Sequence, residues 1–319
     1  MMDQNPLPFA HAGSSPSSGK TTGPAAARSF SEFGMRTLST VAPFGFDFDV
    51  DEFLATYAAF GCTGAQFYRN LKAPPTVEQA IKTCEQHGLS IDSMHGVFSH
   101  DIDPTSPDPA HREHCLELYR KEAQLSKELG GPVVVVHPAG HTKPPEGEPF
   151  NFPKLSAEEA HRMEKELWPA FDEFAKRLAD IGEEEGVTFV LENMGYIAPL
   201  GHNVMALAEH VRAVGSERVR LCFDTGHAHF TGDMLEAFKA SADVTAYIHL
   251  HDNDRLVDNH QMPGDGTIDW TQFAELLENY EVKVPCMIEV FTPLDVITKI
   301  DAAAYRAFIS NACAITAAA

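Results

Sequence analysis

The chain has 319 residues, 44% of them apolar, enough for one large core or two smaller ones. Its formal net charge is −22 at pH 7, and an acidic body repels phosphate backbones, which weighs against nucleic acid as the main partner. No stretch of about 18 apolar residues is present, so the sequence offers no membrane-spanning segment.

The first 34 residues contain two acids, Asp3 and Glu32, and two bases, Lys20 and Arg28. The whole negative excess therefore lies in residues 35–319. Residues 1–34 are rich in Ser, Gly, Pro and Ala without periodicity, and read as a disordered leader or tag-like segment. Residues 35–319 are read as one catalytic domain. Six cysteines are scattered without a CxxC pair, and Cys222 and Cys286 fall in apolar runs. They are expected to be reduced thiols of a cytoplasmic protein.

From Met35 onward, short apolar runs alternate with longer amphipathic ones. The expected strands are "RTLSTVA" (36–42), "GAQFYRN" (64–70), "SIDSMHG" (90–96) and "PVVVVHPAG" (132–140). "TFVLENMG" (188–195), "VRLCFDTGH" (219–227), "AYIHLHDND" (246–254) and "VPCMIEVF" (284–291) follow. Helical patterns separate them, including "DVDEFLATYAAFG", "PPTVEQAIKTCEQHG", "DWTQFAELLENY" and the long run from Ala157 to Gly186. Strand–helix alternation with near-continuous apolar strands predicts parallel pairing and burial on both faces. Eight such units over about 280 residues match a (β/α)8 TIM barrel. A doubly wound open sheet is the competing reading, but "TVAPFGFDFD" is not the glycine-rich phosphate turn such a sheet carries after its first strand.

In a (β/α)8 barrel the site lies at the carboxyl ends of the strands. Six consecutive strands, the third to the eighth, end in or near His95, His137, Glu192, Asp224 with His227, His249 with His251, and Glu289. Asp258 and His260 sit in the loop after the seventh. One such histidine would be unexceptional, whereas a glutamate closing the apolar run "FVL" is not, because carboxylates are rarely buried without a partner. Mixed carboxylate and imidazole donors suit Mn2+, Zn2+, Fe2+ or Co2+, with Mg2+ less comfortable beside imidazole. In "IHLHD", His249 and His251 share one side of the strand, and one of the two is expected to be a primary ligand. Asp252 and Asp254 are read as groups that back the metal ligands or cap a helix, with capping slightly ahead, and His100 and His229 as solvent-exposed loop residues. "PGDG" (263–266) reads as a turn leading to a helix cap at Asp269. The loops 98–109 and 141–155 are long enough to be lids, and plain connectors are an equal reading.

On "LEN", "FDTGH", "IHLHDND", "DNHQMPGDGTIDW" and "IEVF", taken in this order, the chain resembles the xylose isomerase-like barrel superfamily over residues 36–315. The likeness is greatest to sugar phosphate isomerase/epimerase proteins and their relative endonuclease IV. It implies a divalent metal, Mn2+ first, held by Glu192, Asp224, His249 and Glu289. It further implies that Glu192 and Glu289 move a proton through an enediolate and that His227 contacts substrate. In endonuclease IV-like proteins the scaffold binds three zinc ions, and the positions of His95, His137, His227, Asp258 and His260 supply the added ligands. The run after Glu192, "NMGYIAP", departs from the Thr-Ala-Gly-Gln-Gly of that branch, and from residue 249 onward only Arg255, Lys283, Lys299 and Arg306 are basic. The preferred reading is a sugar isomerase or epimerase acting on an unphosphorylated ketose, sugar acid or polyol-derived substrate. A zinc phosphodiesterase acting on abasic DNA and a sugar or C-glycoside lyase are the alternatives, and the order of any homo-oligomer stays open. Removing residues 1–33 is expected to leave the melting temperature nearly unchanged in a thermal scan; a large fall would show that the segment packs on the domain.

Overall fold

The structure, a computed structural model, describes residues 36–45, 49–69, 73–148, 151–290 and 292–315. The expected leader, and Asn70 and Phe291 of the expected strands, lie outside the described residues.

The order is β1 (Leu38–Phe44), α1 (Val50–Ala59), β2 (Gly64–Arg69) and α2 (Val77–Gln86). Next come β3 (Ser90–His95), α3 (Pro109–Leu129), β4 (Val133–Val136) and the long α4 (Ala157–Glu185). β5 (Thr188–Glu192) and α5 (Val204–Val214) lead to β6 (Val219–Asp224), which is followed by α6 (Thr225–Thr231) and α7 (Met234–Ser241). The last elements are β7 (Thr245–Leu250), α8 (Trp270–Asn279), β8 (Cys286–Ile288), α9 (Leu294–Ile297) and α10 (Ala302–Ala312). Every strand pairs parallel with its sequence neighbours and β8 returns to β1, closing the barrel. That closure removes the open-sheet alternative. The expected fourth and eighth strands ran too long, because the chain leaves the ladder before His137 and Glu289 to build loops.

Local chemistry sets the helix ends. Thr76 with Gln79, and Ser156 with Glu159, form reciprocal capping boxes that satisfy the first amides of α2 and α4. Asp269 caps α8 through the Gln272 amide, as the "PGDG" turn implied. Gly186 ends α4 with φ at 73°, a left-handed conformation that a side chain would strain.

The strand period of two sorts the side chains. Val133, Val135, Val190, Cys222, Tyr247 and Met287 fill the lumen, while the alternate residues Val134, Val136, Leu191, Phe223, Ile248 and Ile288 join the layer under the helices. Two residues beyond Val135, Val190, Cys222, Tyr247 and Met287 stand His137, Glu192, Asp224, His249 and Glu289. The same alternation that packs the lumen therefore aims these polar groups into its mouth.

Deeper in the barrel the β2–β3 register slips, with Ala65 opposite Ile91 and Gln66 opposite Ser93. The bulged Asp92 turns its carboxyl toward the hydroxyls of Ser39, Ser93 and Tyr247. Burial pushes Asp92 up to about 6, and the three hydroxyls offset only part of that rise. The folded state thus keeps a proton that the unfolded chain releases near pH 4. The stability this confers is full below about pH 4 and is lost as the pH rises through about 6. Asp92→Asn is expected to raise the melting temperature at pH 7.5 by more than at pH 5, measured by thermal denaturation. A mutant less stable at pH 7.5 than the parent would contradict the assignment.

Candidate metal centre

Glu192 stands at the centre of the mouth, 1% exposed. Its Oε1 lies 3.1 Å from His249 Nδ1 and 3.6 Å from His227 Nδ1, and its Oε2 lies 3.2 Å from His137 Nε2 and 3.4 Å from His95 Nε2. His249 Nδ1 is also 3.3 Å from Glu289 Oε2 and 3.9 Å from Asp224 Oδ2. Glu192, Asp224, His249 and Glu289 are all buried and can offer one ligand atom each within 4.8 Å of one another. These are the four residues that the resemblance implied.

Two further donor groups flank this one. His95 and His137 converge on the same Glu192, and His227, His251, Asp258 and His260 form the other group. His95, His137, Glu192, Asp224, His227, His249, His251, Asp258, His260 and Glu289 are thus all brought together at the mouth. His249 joins the Glu192 group and His251 the flanking one, because residues two apart on β7 continue up the same side of the lumen.

The imidazoles are held in defined orientations. His95 Nδ1 donates to the Gly96 carbonyl at 2.9 Å, and His227 Nδ1 to the Asn193 carbonyl at 2.9 Å. His137 Nδ1 is hydrogen-bonded to His141 Nε2 at 2.7 Å. Such outer contacts fix which nitrogen faces a ligand. Four residues that sequence reasoning passed over do comparable work. Asn193 locks β5 to β6 by accepting from the Asp224 amide (2.8 Å) and donating to its carbonyl (3.0 Å). Tyr68 donates its hydroxyl to Glu289, and Thr225 donates to the His251 carbonyl at 2.9 Å. His141 backs His137. Asn193 was legible as the last letter of "LEN"; nothing in the pattern marked Tyr68 or His141.

Some sequence assignments are corrected. His229 is buried, because α6 turns it inward, and its Nε2 lies 2.9 Å from Thr267 Oγ1; His100 is half-buried beside the His141 carbonyl. Neither Asp252 nor Asp254 caps a helix. Asp252 accepts from the Gly264 and Ile268 amides and the Trp270 indole, so it folds the loop that delivers Asp258 and His260. Asp254 caps a turn through the Leu256 amide. The loop around 141–155 is tied to the β5–α5 loop by Thr142 N to Ile197 O and Leu155 N to Tyr196 O, both 2.8 Å, as a connector would be.

The electrostatics of the mouth follow from burial against mutual attraction. Burial alone would raise Glu192 and Glu289, but the imidazole of His249, with other histidines, holds both carboxyls well below the usual range. His227 is pulled up against its burial by Asp224 and Asp258. Burial pushes His260 down to about 4 and the Cys222 thiol up to about 12, so Cys222 is no nucleophile. Asp224 Oδ2, His249 Nε2, His251 Nδ1 and Asp258 Oδ1 have no hydrogen-bond partner among the described residues, while His251 Nε2 lies 2.9 Å from Asp224 Oδ1. Buried polar atoms left so are costly, and a cation among them removes the cost. The donor set fits a divalent metal.

A closed barrel with donors converging at its carboxyl mouth defines a (β/α)8 protein whose strand ends could hold a metal ion. The chain belongs to the xylose isomerase-like TIM barrel family, whose model matches residues 54–307. It is 25% identical over 221 residues to an uncharacterized protein of Methanocaldococcus jannaschii, 68% of each chain. It is 28% identical over 138 residues to an inosose isomerase of Bacillus velezensis, 41% of this chain and 49% of that one. To a probable endonuclease 4 of Mycoplasma pneumoniae it is 21% identical over 233 residues, 69% of this chain and 74% of that one. The structure of an L-ribulose 3-epimerase shares its fold with a TM-score of 0.67 and 19% identity, over 88% of this chain and 95% of that one.

Gly226 gives this centre a steric test. A Cβ there would lie 2.0 Å from His251 Cε1, a distance that forces the ring aside. Gly226→Ala is expected to destabilise the protein by about 1–3 kcal/mol, as overpacking does, and to weaken metal binding. Urea denaturation and metal titration read the two effects, and an unchanged variant would mean that His251 is freely displaced.

Proposed function

We propose that the protein is a divalent-metal-dependent isomerase or epimerase of a sugar-like substrate, a ketose, sugar acid or polyol derivative. The observation that carries this reading is the pair Glu192 and Glu289, two buried carboxylates at the carboxyl ends of β5 and β8 that both approach His249 Nδ1, at 3.1 and 3.3 Å. Glu192, Asp224, His249 and Glu289 would hold the metal, with Mn2+ the first candidate and Zn2+, Co2+, Fe2+ and Mg2+ behind it. A bound divalent ion supplies polarisation of a carbonyl and its neighbouring hydroxyl.

The chain's own residues supply the rest. One glutamate removes the proton from the carbon beside the carbonyl, giving an enediolate; the other, once it has taken a proton from solvent, returns that proton to the opposite face, and the first then releases its own to solvent. Their lowered proton affinity keeps both carboxylates ionised before substrate enters, so either has a free oxygen to accept the first proton. The Tyr68 hydroxyl holds Glu289 in place, and His227, steadied by Asn193, stands where it can donate to a substrate oxygen. The inosose isomerase likeness and the acidic charge of the chain favour a small neutral or polyol-like substrate over a polyanion.

A second reading rests on a specific observation, the two flanking donor groups that share or border Glu192. Three bound ions would suit phosphodiester hydrolysis, as the probable endonuclease 4 relatives suggest. Metal analysis separates the two. One exchangeable ion per chain with activity retained in Mn2+ and Co2+ supports the isomerase; close to three zinc ions together with cleavage of an abasic-site duplex overturns it.

Replacing Glu192 or Glu289 by Gln is expected to lower turnover by about 10²–10⁴-fold, the usual contribution of a positioned acid–base group. In D2O the parent enzyme should place deuterium at the reacting carbon of its product, read by NMR. Product free of deuterium would point to hydride shift, and unimpaired turnover in Glu289→Gln would remove the two-glutamate mechanism.

A further inference from the structure

Away from the mouth, α4 and the β5–α5 loop bring together His161, Glu164 and His202. His161 and Glu164 are three residues apart and so share one face of α4. His202 stands just before Asn203, the N-cap of α5. The three offer donor atoms within 4.8 Å of one another. His161 Nδ1 lies 2.8 Å from His202 Nε2, which lies 3.7 Å from Glu164 Oε2.

The two imidazoles are at hydrogen-bond distance, and a shift of about half an ångström would make these separations those of a ligand set. Nitrogen and oxygen donors about 2.0–2.1 Å from a tetrahedral zinc stand about 3.3–3.4 Å from each other, and the observed distances bracket that value. The side chains of His202 and Glu164 are 1% and 6% exposed, and Asn203 donates to the glutamate from its backbone and side-chain amides. Glu164 Oε1 is nonetheless buried without a hydrogen-bond partner among the described residues. A hydrogen bond between the two imidazoles leaves that oxygen unsatisfied; a cation taken by the carboxylate satisfies it. His161 is exposed, which opens a route from solvent and leaves a fourth position for water.

We propose that His161, Glu164 and His202 form a further metal site, suited to Zn2+, that fastens α4 to the β5–α5 loop. It shares no residue with the mouth. Its consequence is mechanical: the loop it grips runs from Asn193 to His202 and includes Gly195, where a Cβ would come 2.8 Å from the Asp258 carboxylate. The loop therefore passes directly against one donor group of the mouth, and fixing its far end at His202 limits how it can shift there.

The test is a difference measurement on the full-length protein. Parent, His161→Ala and Glu164→Gln are loaded with Zn2+, freed of excess by gel filtration and analysed for zinc per chain. Each is then melted in Zn2+ and in EDTA. His161 is on the surface and Glu164→Gln keeps its shape, so circular dichroism should match the parent for both. The parent is expected to hold one zinc ion more than either variant and to gain a larger zinc-dependent rise in melting temperature. Equal zinc content and equal melting shifts in all three proteins would overturn the site and leave a hydrogen-bonded histidine pair.

Discussion

A single carboxylate, Glu192, organises the mouth of this barrel. One of its oxygens faces His249 and His227, the other faces His95 and His137, and the group is almost wholly removed from water. An ionised carboxylate in such a place is tolerable only when paired and hydrogen-bonded. The surrounding histidines arrive from β3, β4, α6 and β7, so the charge of one residue makes demands on half the strands. Asp224 and Glu289 add to the same demand from β6 and β8. The scaffold meets it with short outer contacts from Asn193, Tyr68, Thr225 and His141, each of which sets the angle of a group that faces the centre.

The lumen below explains why this charge can be kept there. Val133, Val135, Val190, Cys222, Tyr247 and Met287 seal the barrel beneath the donors, leaving a low-dielectric floor under the charges. Electrostatic attraction is stronger over such a floor than in water, and so is the penalty for an unpaired group. The bulged Asp92, farther down, shows the other outcome of the same physics. There burial outweighs the hydroxyls around it and pushes the carboxyl up to about 6, while Glu192 and Glu289, beside histidines, are held well below the usual range. Three buried carboxyls differ in proton affinity because of what stands next to them.

The fold was legible in the sequence because two periodicities are clean in it. Runs such as "PVVVV" and "TFVL" state the strands, and glycine or capping residues state the helix ends. The polar residues of the mouth were legible for the same reason, as interruptions at the ends of apolar runs. What the sequence hid depends on register and on distance across the barrel. Tyr68 is an ordinary strand tyrosine until β2 and β8 face each other through the lumen. His229 reads as a loop residue until α6 begins immediately after Asp224 and turns it inward. Asp252 reads as a cap until its loop folds back and pairs with Gln261. His161, Glu164 and His202 come from a helix and a distant loop, and no spacing along the chain announces their meeting.

The histidine orientations bear on how the mouth is filled. A neutral imidazole has one N–H to give. In His95 and His227 that hydrogen goes from Nδ1 to a backbone carbonyl, so Nε2 is left with a lone pair. Yet His95 Nε2 faces Glu192 Oε2 at 3.4 Å, and His227 Nε2 faces Asp258 Oδ2 at 3.3 Å. Two acceptors set opposite one another repel unless a proton or a metal ion lies between them. Each of these contacts is eased by a cation between the two atoms, and the chemistry of the mouth turns on which cation that is. Protons there would leave one central metal and a substrate pocket walled by imidazolium donors, suited to hydroxyl and carbonyl oxygens. Metal ions there would make a far more positive floor, suited to a phosphodiester, on a chain whose overall charge repels the polymer that carries one. That opposition between a local field and the field of the whole molecule favours the small substrate.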